Sequence, residues 1–245
     1  MTEKPVAIVT GASRGIGRAI AMKLAHDGMH VVGCARSADK LQELVGEIEQ
    51  AGGSASAVTM NVGDAESIRS GIDAIAKEHG RIDVLVNNAG ITRDTLLLRM
   101  TDEQFDEVLQ TNLKSVFVAT KAAARQLMRS KQGRIINIGS VSGVLGNAGQ
   151  ANYAASKSAL HGFTKTVARE FAGKGVTANV IAPGFVTTDM TDALDDKIKE
   201  TVVGQIPLGR FGQANEIAAA VGYLASPAGA YVTGQILCVD GGMAM

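Results

Sequence analysis

The 245 residues carry 24 basic and 24 acidic side chains, so the formal net charge is zero, and 46% of them are hydrophobic. That apolar share excludes a disordered polyampholyte. Charge balance argues against a protein whose main task is gripping nucleic acid, which leaves a basic excess, and 4% aromatic residues offer little for base stacking.

No apolar run approaches the roughly 20 residues of a membrane span. Met1 to Pro5 lead straight into an apolar strand with no signal-peptide core, so a cytoplasmic protein is expected. Cys34 and Cys238 lie in strand-like runs and read as small core residues in a reducing compartment. The four histidines are scattered, and no Cys/His cluster has metal-ligand spacing.

Short Val/Ile-rich runs at Val6–Thr10, Val31–Ala35, Ala57–Val62, Val84–Asn87, Ile135–Ile138, Ala178–Ile181 and Ile236–Val239 read as strands buried on both faces. Between them, helical patterns span 15–28, 37–51, 65–79, 102–130, 153–172 and 213–225. This β-α alternation predicts an α/β protein with a doubly wound, seven-stranded parallel sheet and helices on both faces, folded as one Rossmann-type domain over 1–245. Residues 184–212 are the least regular, with a weak helix near 191–201, and suit a substrate loop or lid. Its apolar residues are Phe185, Met190, Leu194, Ile206 and Leu208.

Between the first strand and first helix, Gly11-Ala12-Ser13-Arg14-Gly15-Ile16-Gly17 forms a glycine-rich turn. Glycines permit close backbone approach, and the N–H groups at a helix start favour a pyrophosphate. The spacing G-x-x-x-G-x-G differs from the usual dinucleotide fingerprint. Arg36 stands at the end of the second strand, where an acidic residue would bind a ribose 2′-hydroxyl; with Arg14 in the loop, it favours NADP(H) over NAD(H).

Tyr153 and Lys157 are four positions apart on a predicted helix and share a face. A cation fixed beside a phenol lowers its pKa and suits it to proton transfer near neutral pH. Ser140 follows the fifth strand, at a carboxyl strand end where open α/β sheets bind ligands. Asn112 falls mid-helix, where an asparagine is mildly unfavourable and needs a reason.

Thr10-Gly11-x-x-x-Gly15-x-Gly17, Asn87-Asn88-Ala89-Gly90, Asn112, Ser140, Tyr153-x-x-x-Lys157 and Pro183-Gly184 together resemble the short-chain dehydrogenase/reductases over essentially the whole chain. The resemblance implies that Tyr153 is the general acid/base, that Ser140 orients a carbonyl, and that Lys157 lowers the tyrosine pKa and holds the nicotinamide ribose. It implies that Asn112 anchors a water linking Lys157 to solvent. It also places Asn61 and Val62 beside the adenine, Asn88 on the ribose side and Val186 at the nicotinamide end. Asn61 departs from the aspartate of many relatives, which makes that contact less firm.

The stretches 88–94, 146–153, 182–190 and 239–243 are similar to the 3-oxoacyl-[acyl-carrier-protein] reductases of bacterial fatty-acid synthesis. This implies NADPH-dependent reduction of a 3-oxoacyl thioester carried on an acidic carrier protein, by a homotetramer. Arg129, Lys131 and Lys174 are then candidate docking cations, and Gln150 a candidate substrate contact. Val116, Val118, Ala119, Ala122–Ala124, Ala159, Phe163, Val167 and Phe171 make two helices apolar on more than one face, as a partner subunit would require. A reductase of acetoacetyl-CoA or of a small ketone, and a non-catalytic NADP-binding sensor or scaffold, are the alternative readings.

Overall fold

The computed structural model describes residues 4–130, 132–187 and 195–245, without the side chains of 196–198. Seven parallel strands form one sheet: β1 (Val6–Thr10), β2 (His30–Ala35), β3 (Ser54–Thr59), β4 (Val84–Asn87), β5 (Arg134–Ile138), β6 (Thr177–Pro183) and β7 (Ile236–Val239). Their spatial order is β3-β2-β1-β4-β5-β6-β7, every pairing parallel. The order reverses between β1 and β4, the switch point where the carboxyl ends of such strands open a ligand crevice.

Helices α1 (Gly15–His26) and α2 (Ala38–Gln50) cover one face, while α3 (Ala65–His79), α5 (Ser115–Arg129) and α7 (Ala151–Phe171) cover the other. The strands alternate accordingly. Ala7, Val9, Val84 and Val86 pack with Ile20, Leu24 and Leu44 of the first layer. Val6, Ile8 and Leu85 pack with Ile72, Ile75 and Leu127 of the second. A period of two puts both sides of each strand in apolar surroundings, so central strands read as unbroken apolar runs. Among the described residues the remaining α-helices are α4 (Asp102–Leu109), the short α6 (Ser142–Leu145), α8 (Asp196–Val203) and α9 (Ala214–Ala225), the last in the first layer.

Three expectations change. The third strand begins at Ser54 rather than Ala57 and ends at Thr59, with Ser54 opposite His30 and Thr59 opposite Ala35. It is an edge strand of small, half-buried side chains, so apolarity does not mark it. Asn61 and Val62 consequently lie beyond its end, in the loop at the carboxyl edge.

The long helix over 102–130 is also divided. Gln110–Lys114 forms a π-helical turn between α4 and α5, with Asn112 at its centre. Such bulges widen the backbone and cluster at functional sites.

Thirdly, the apolar circumference of α5 and α7 is largely absorbed within the chain. Val116 packs on Leu160 and Val180, while Val118, Ala119, Ala123 and Val167 join the core. Large exposed apolar side chains include Phe117 on α5 itself and, outside both helices, Leu96, Leu97, Leu98 and Phe105.

Candidate active site

The glycine loop and the segment after β4 meet across the switch point. Gly11 and Gly15 have φ of 68° and 55°, values natural only to glycine. A Cβ on Gly17 would lie 2.2 Å from the Gly11 carbonyl oxygen and 2.4 Å from Asn88 Nδ2. The first turn of α1 therefore presses against the loop, and the N–H groups of 15–17, without helical partners, close a concave backbone surface. This cradle fits a pyrophosphate.

Two residues of this region do other work than expected. Ala12 is fully buried and its N–H donates to the Cys34 carbonyl at 3.2 Å, so that amide cannot serve a phosphate. The Asn88 amide nitrogen is engaged within the chain. This Nδ2 donates to the carbonyls of Thr10 (2.9 Å) and Gly11 (3.3 Å), bracing the loop from beneath. Thr10, to which the sequence reading gave no role, is the counterpart, since its hydroxyl accepts from the N–H groups of Asn88 (3.0 Å) and Ala89 (3.1 Å).

Arg14 and Arg36 are exposed on this side, with Ser13 and Ile16 between them and the buried turn. Asn61 is also exposed, and its Oδ1 accepts from Gly63 N–H at 3.1 Å. The Val186 side chain is 4% exposed and belongs to the core, at a bridge pairing it with Gly212.

β5 delivers Ser140 and α7 delivers Tyr153 and Lys157. The Ser140 hydroxyl accepts from Ser142 N–H at 3.1 Å and lies near enough to the Tyr153 phenol to lower its pKa. The Lys157 Nζ donates to the Ile138 carbonyl at 2.8 Å and stands 5.6 Å from the Tyr153 ring centre. α6 is seated closely on α7: a Cβ on Gly143 would lie 2.9 Å from Lys157 Cβ.

Asn112 is fully buried and bonded three times. Its Oδ1 accepts from Ile91 N–H at 2.9 Å, and its Nδ2 donates to the Ile91 carbonyl at 2.9 Å and the Ser156 hydroxyl at 3.1 Å. Ser156 in turn donates to the Tyr153 carbonyl at 2.7 Å. Gly90 passes between these groups: a Cβ there would stand 3.1 Å from Asn112 Oδ1 and 3.4 Å from Lys157 Nζ. Gly90 belongs to the Asn87-Asn88-Ala89-Gly90 motif, but its close packing, and the part played by Ser156, depend on what approaches from other elements and are not marked by spacing or residue type.

The electrostatics depart from expectation. Burial pushes the Tyr153 phenol above its ordinary value, the Ser140 hydroxyl opposes that rise, and the negative charge of Asp94 adds to it. The predicted depression by Lys157 is not found, because Nζ is directed to the Ile138 carbonyl and desolvation dominates. Lys157 itself, 4% exposed, is pushed down by burial to about 8.

The docking candidates fare differently. Lys131 lies outside the described residues, as do Met190 and Leu194 of the expected lid. Lys174 follows the far end of α7, whose 21 residues separate it from Tyr153 by about 30 Å. Arg129 ends α5 just before β5 begins. Both sit toward the amino edge of the sheet, so neither flanks the mouth of its own chain's site. Gln150, by contrast, caps α7 beside Tyr153, its Nε2 donating to Asp94 at 2.8 Å.

Among the described residues no group of three or more His, Cys, Asp or Glu side chains could hold a metal ion, and no helix is long and apolar enough to cross a membrane.

Comparison with known proteins is consistent with this arrangement. The family described as Enoyl-(Acyl carrier protein) reductase matches residues 11–244. The chain is 52% identical over 243 residues to the 3-oxoacyl-[acyl-carrier-protein] reductase FabG of Vibrio cholerae, covering 99% of this chain and 98% of that one. The protein of the same name from Staphylococcus aureus is 50% identical over 240 residues, covering 98% of each. The crystal structure of gox2181 superimposes with a TM-score of 0.95 at 34% identity, covering 98% of this chain and 96% of that one. With these relatives and this site, the chain belongs to the short-chain dehydrogenase/reductase family, whose coenzyme is a nicotinamide dinucleotide.

Proposed function

We propose that the chain is an NADPH-dependent 3-oxoacyl-[acyl-carrier-protein] reductase of fatty-acid elongation. One observation carries the reading: a serine hydroxyl and a tyrosine phenol stand together with a buried lysine, 5.6 Å from the phenol ring, at the carboxyl edge of the sheet. Two such donors converge on a single substrate oxygen, and this is what reduction of a carbonyl requires. The substrate class is supported by the names of relatives about half identical over nearly the full chain.

When bound, the reduced nicotinamide supplies the hydride. Ser140 and Tyr153 hold the ketone oxygen as negative charge grows on it; positioned donors of this kind are commonly worth about 3–4 kcal/mol each. Tyr153 gives its proton to that oxygen, leaving a phenolate and a 3-hydroxy product. Lys157, cationic below pH about 8, offsets the phenolate charge. Asn112 is the candidate anchor for the water that restores the proton, since a π turn loosens the backbone carbonyls around it. The glycine loop holds the coenzyme phosphates, and Arg14 and Arg36 supply the charge that selects the 2′-phosphate of NADPH.

A homotetramer is supported by resemblance and by the exposed Leu96–Leu98, Phe105 and Phe117. The decisive assay follows NADPH oxidation with acetoacetyl-carrier protein and acetoacetyl-CoA side by side. A higher kcat/KM for the carrier-bound thioester is expected. Preference for the CoA thioester would shift the reading to another reductase of the family, and no oxidation with either would leave only a coenzyme-binding protein.

A further inference from the structure

The loop after β4 and the loop before α7 are laced together at the start of α7, three residues before Tyr153. Thr95 N–H donates to the Gly149 carbonyl at 2.8 Å. Asn152 Nδ2 donates to the Arg93 carbonyl at 3.1 Å. Gln150 Nε2 donates to Asp94 Oδ2 at 2.8 Å, while its own Oε1 accepts from Asn147 at 3.1 Å. Gln150 is thus engaged at both ends of its amide, and its visible task is to hold Asp94.

Among the described residues the charges near the phenol are few. α7 contributes Lys157, whose Nζ is turned to the Ile138 carbonyl. α6 contributes no charged residue. The loop after β4 contributes Arg93, which is paired through two 2.8 Å contacts with Glu107 of α4, and Asp94. Among the described residues no cation pairs with Asp94, whose carboxylate is exposed and held only by a neutral amide. Its negative charge reaches the phenol, adding to the rise in the Tyr153 pKa.

From this arrangement we infer that Asp94, clasped by Gln150, is a charge filter at the mouth of the site: it favours 3-oxo substrates whose neighbouring acyl group is neutral, a thioester or ester, and rejects free 3-oxo acids. The inference rests on the reductase reading. A ketone bound between Ser140 and Tyr153 places its acyl group within a few bonds of the reacting carbon. An ionised carboxylate there would meet Asp94 with Arg93 already neutralised, whereas a thioester carries no charge to repel. Like charges several ångströms apart at a partly solvated site alter relative affinity by a measurable factor, and salt screens the effect.

The test compares two small probes, ethyl acetoacetate and the acetoacetate anion, with the unsubstituted protein and with Asp94→Asn. The substitution is nearly isosteric, lies on the surface and keeps an oxygen for Gln150. In Asp94→Asn, kcat/KM for acetoacetate relative to the ester is expected to rise by roughly fivefold or more at low ionic strength. The gain should shrink in 1 M salt, where the Debye length falls to about 3 Å. A ratio that the substitution leaves unmoved, or acetoacetate reduced no better by Asp94→Asn than by the parent, overturns the filter while leaving the reductase intact. Failure of the unsubstituted protein to reduce the ester overturns the reductase reading and the filter with it.

Discussion

The two halves of the crevice are built by opposite means. On the β1 side the site is made of backbone: Gly11, Gly15 and Gly17 bring main chain where a side chain would collide, and Thr10 and Asn88 are spent holding that backbone still. On the β5 and α7 side it is made of side chains. Ser140, Tyr153, Lys157, Asn112 and Ser156 are partly or fully buried and hydrogen-bonded to one another or to nearby carbonyls. A surface for a bound coenzyme needs shape and N–H groups, which glycine provides. A surface that moves a proton needs titratable groups out of water, whose burial must be balanced by hydrogen bonds. The first half should be sensitive to size and the second to the loss of single atoms.

The largest expected effect is on the chemical half. Tyr153→Phe removes one oxygen and should lower kcat by about 10²–10⁴-fold, the usual worth of a positioned acid, with coenzyme affinity unchanged in a fluorescence titration. Turnover within a few-fold of the parent would refute the acid role.

Next comes Gly17→Ala on the coenzyme half. The added methyl would overlap the Gly11 carbonyl at 2.2 Å, and neither element can yield without moving Asn88. A loss of about 1–3 kcal/mol in unfolding free energy is expected, together with weaker coenzyme binding. An alanine protein that unfolds and binds coenzyme as the parent does would show that this half is less tightly made than its geometry implies.

Smaller again is Arg36→Asp, which exchanges a cation for an anion on an exposed site. NADPH affinity should fall by roughly ten- to a hundredfold, the worth of a charged hydrogen bond, with NADH little affected. Equal losses for both coenzymes would remove Arg36 from the selection of NADPH.

The mildest perturbation is pH. Lys157 has a folded pKa pushed down by burial from 10.5 to about 8. Between those values the unfolded chain holds the extra proton, so the lysine's own contribution to stability rises with pH across that window. The reduction rate should do the reverse, declining as pH passes about 8 and the cation is lost. A kcat flat from pH 7 to 10 would mean that the Lys157 charge does not support the phenolate.

Much of this was legible beforehand where local chemistry repeats along the chain. The Val/Ile runs of β1, β4 and β5 are apolar on both faces because both faces are covered, and they mark themselves. β3 does not, since an edge strand of alternating Ser and Ala advertises neither apolarity nor branching, and its start was misplaced by three residues. Tyr153 and Lys157 were paired by helical spacing alone. Their electrostatics were not, because a depressed phenol requires an ammonium aimed at it, and the Ile138 carbonyl lies far away in sequence.

The α/β alternation, the glycine loop and the set Asn112, Ser140, Tyr153 and Lys157 are thus encoded in spacing and residue type. What each group faces comes from the packed fold: Asn88 beneath the glycine loop, Asn112 on Ile91 and Ser156, Lys157 on Ile138, Lys174 at the far edge, and Asp94 on Gln150 at the start of α7. The reason is physical. Period and propensity are carried by neighbours within a turn or two of chain, whereas hydrogen-bond partners, desolvation and charge are set by distances between elements that only the packed sheet brings together.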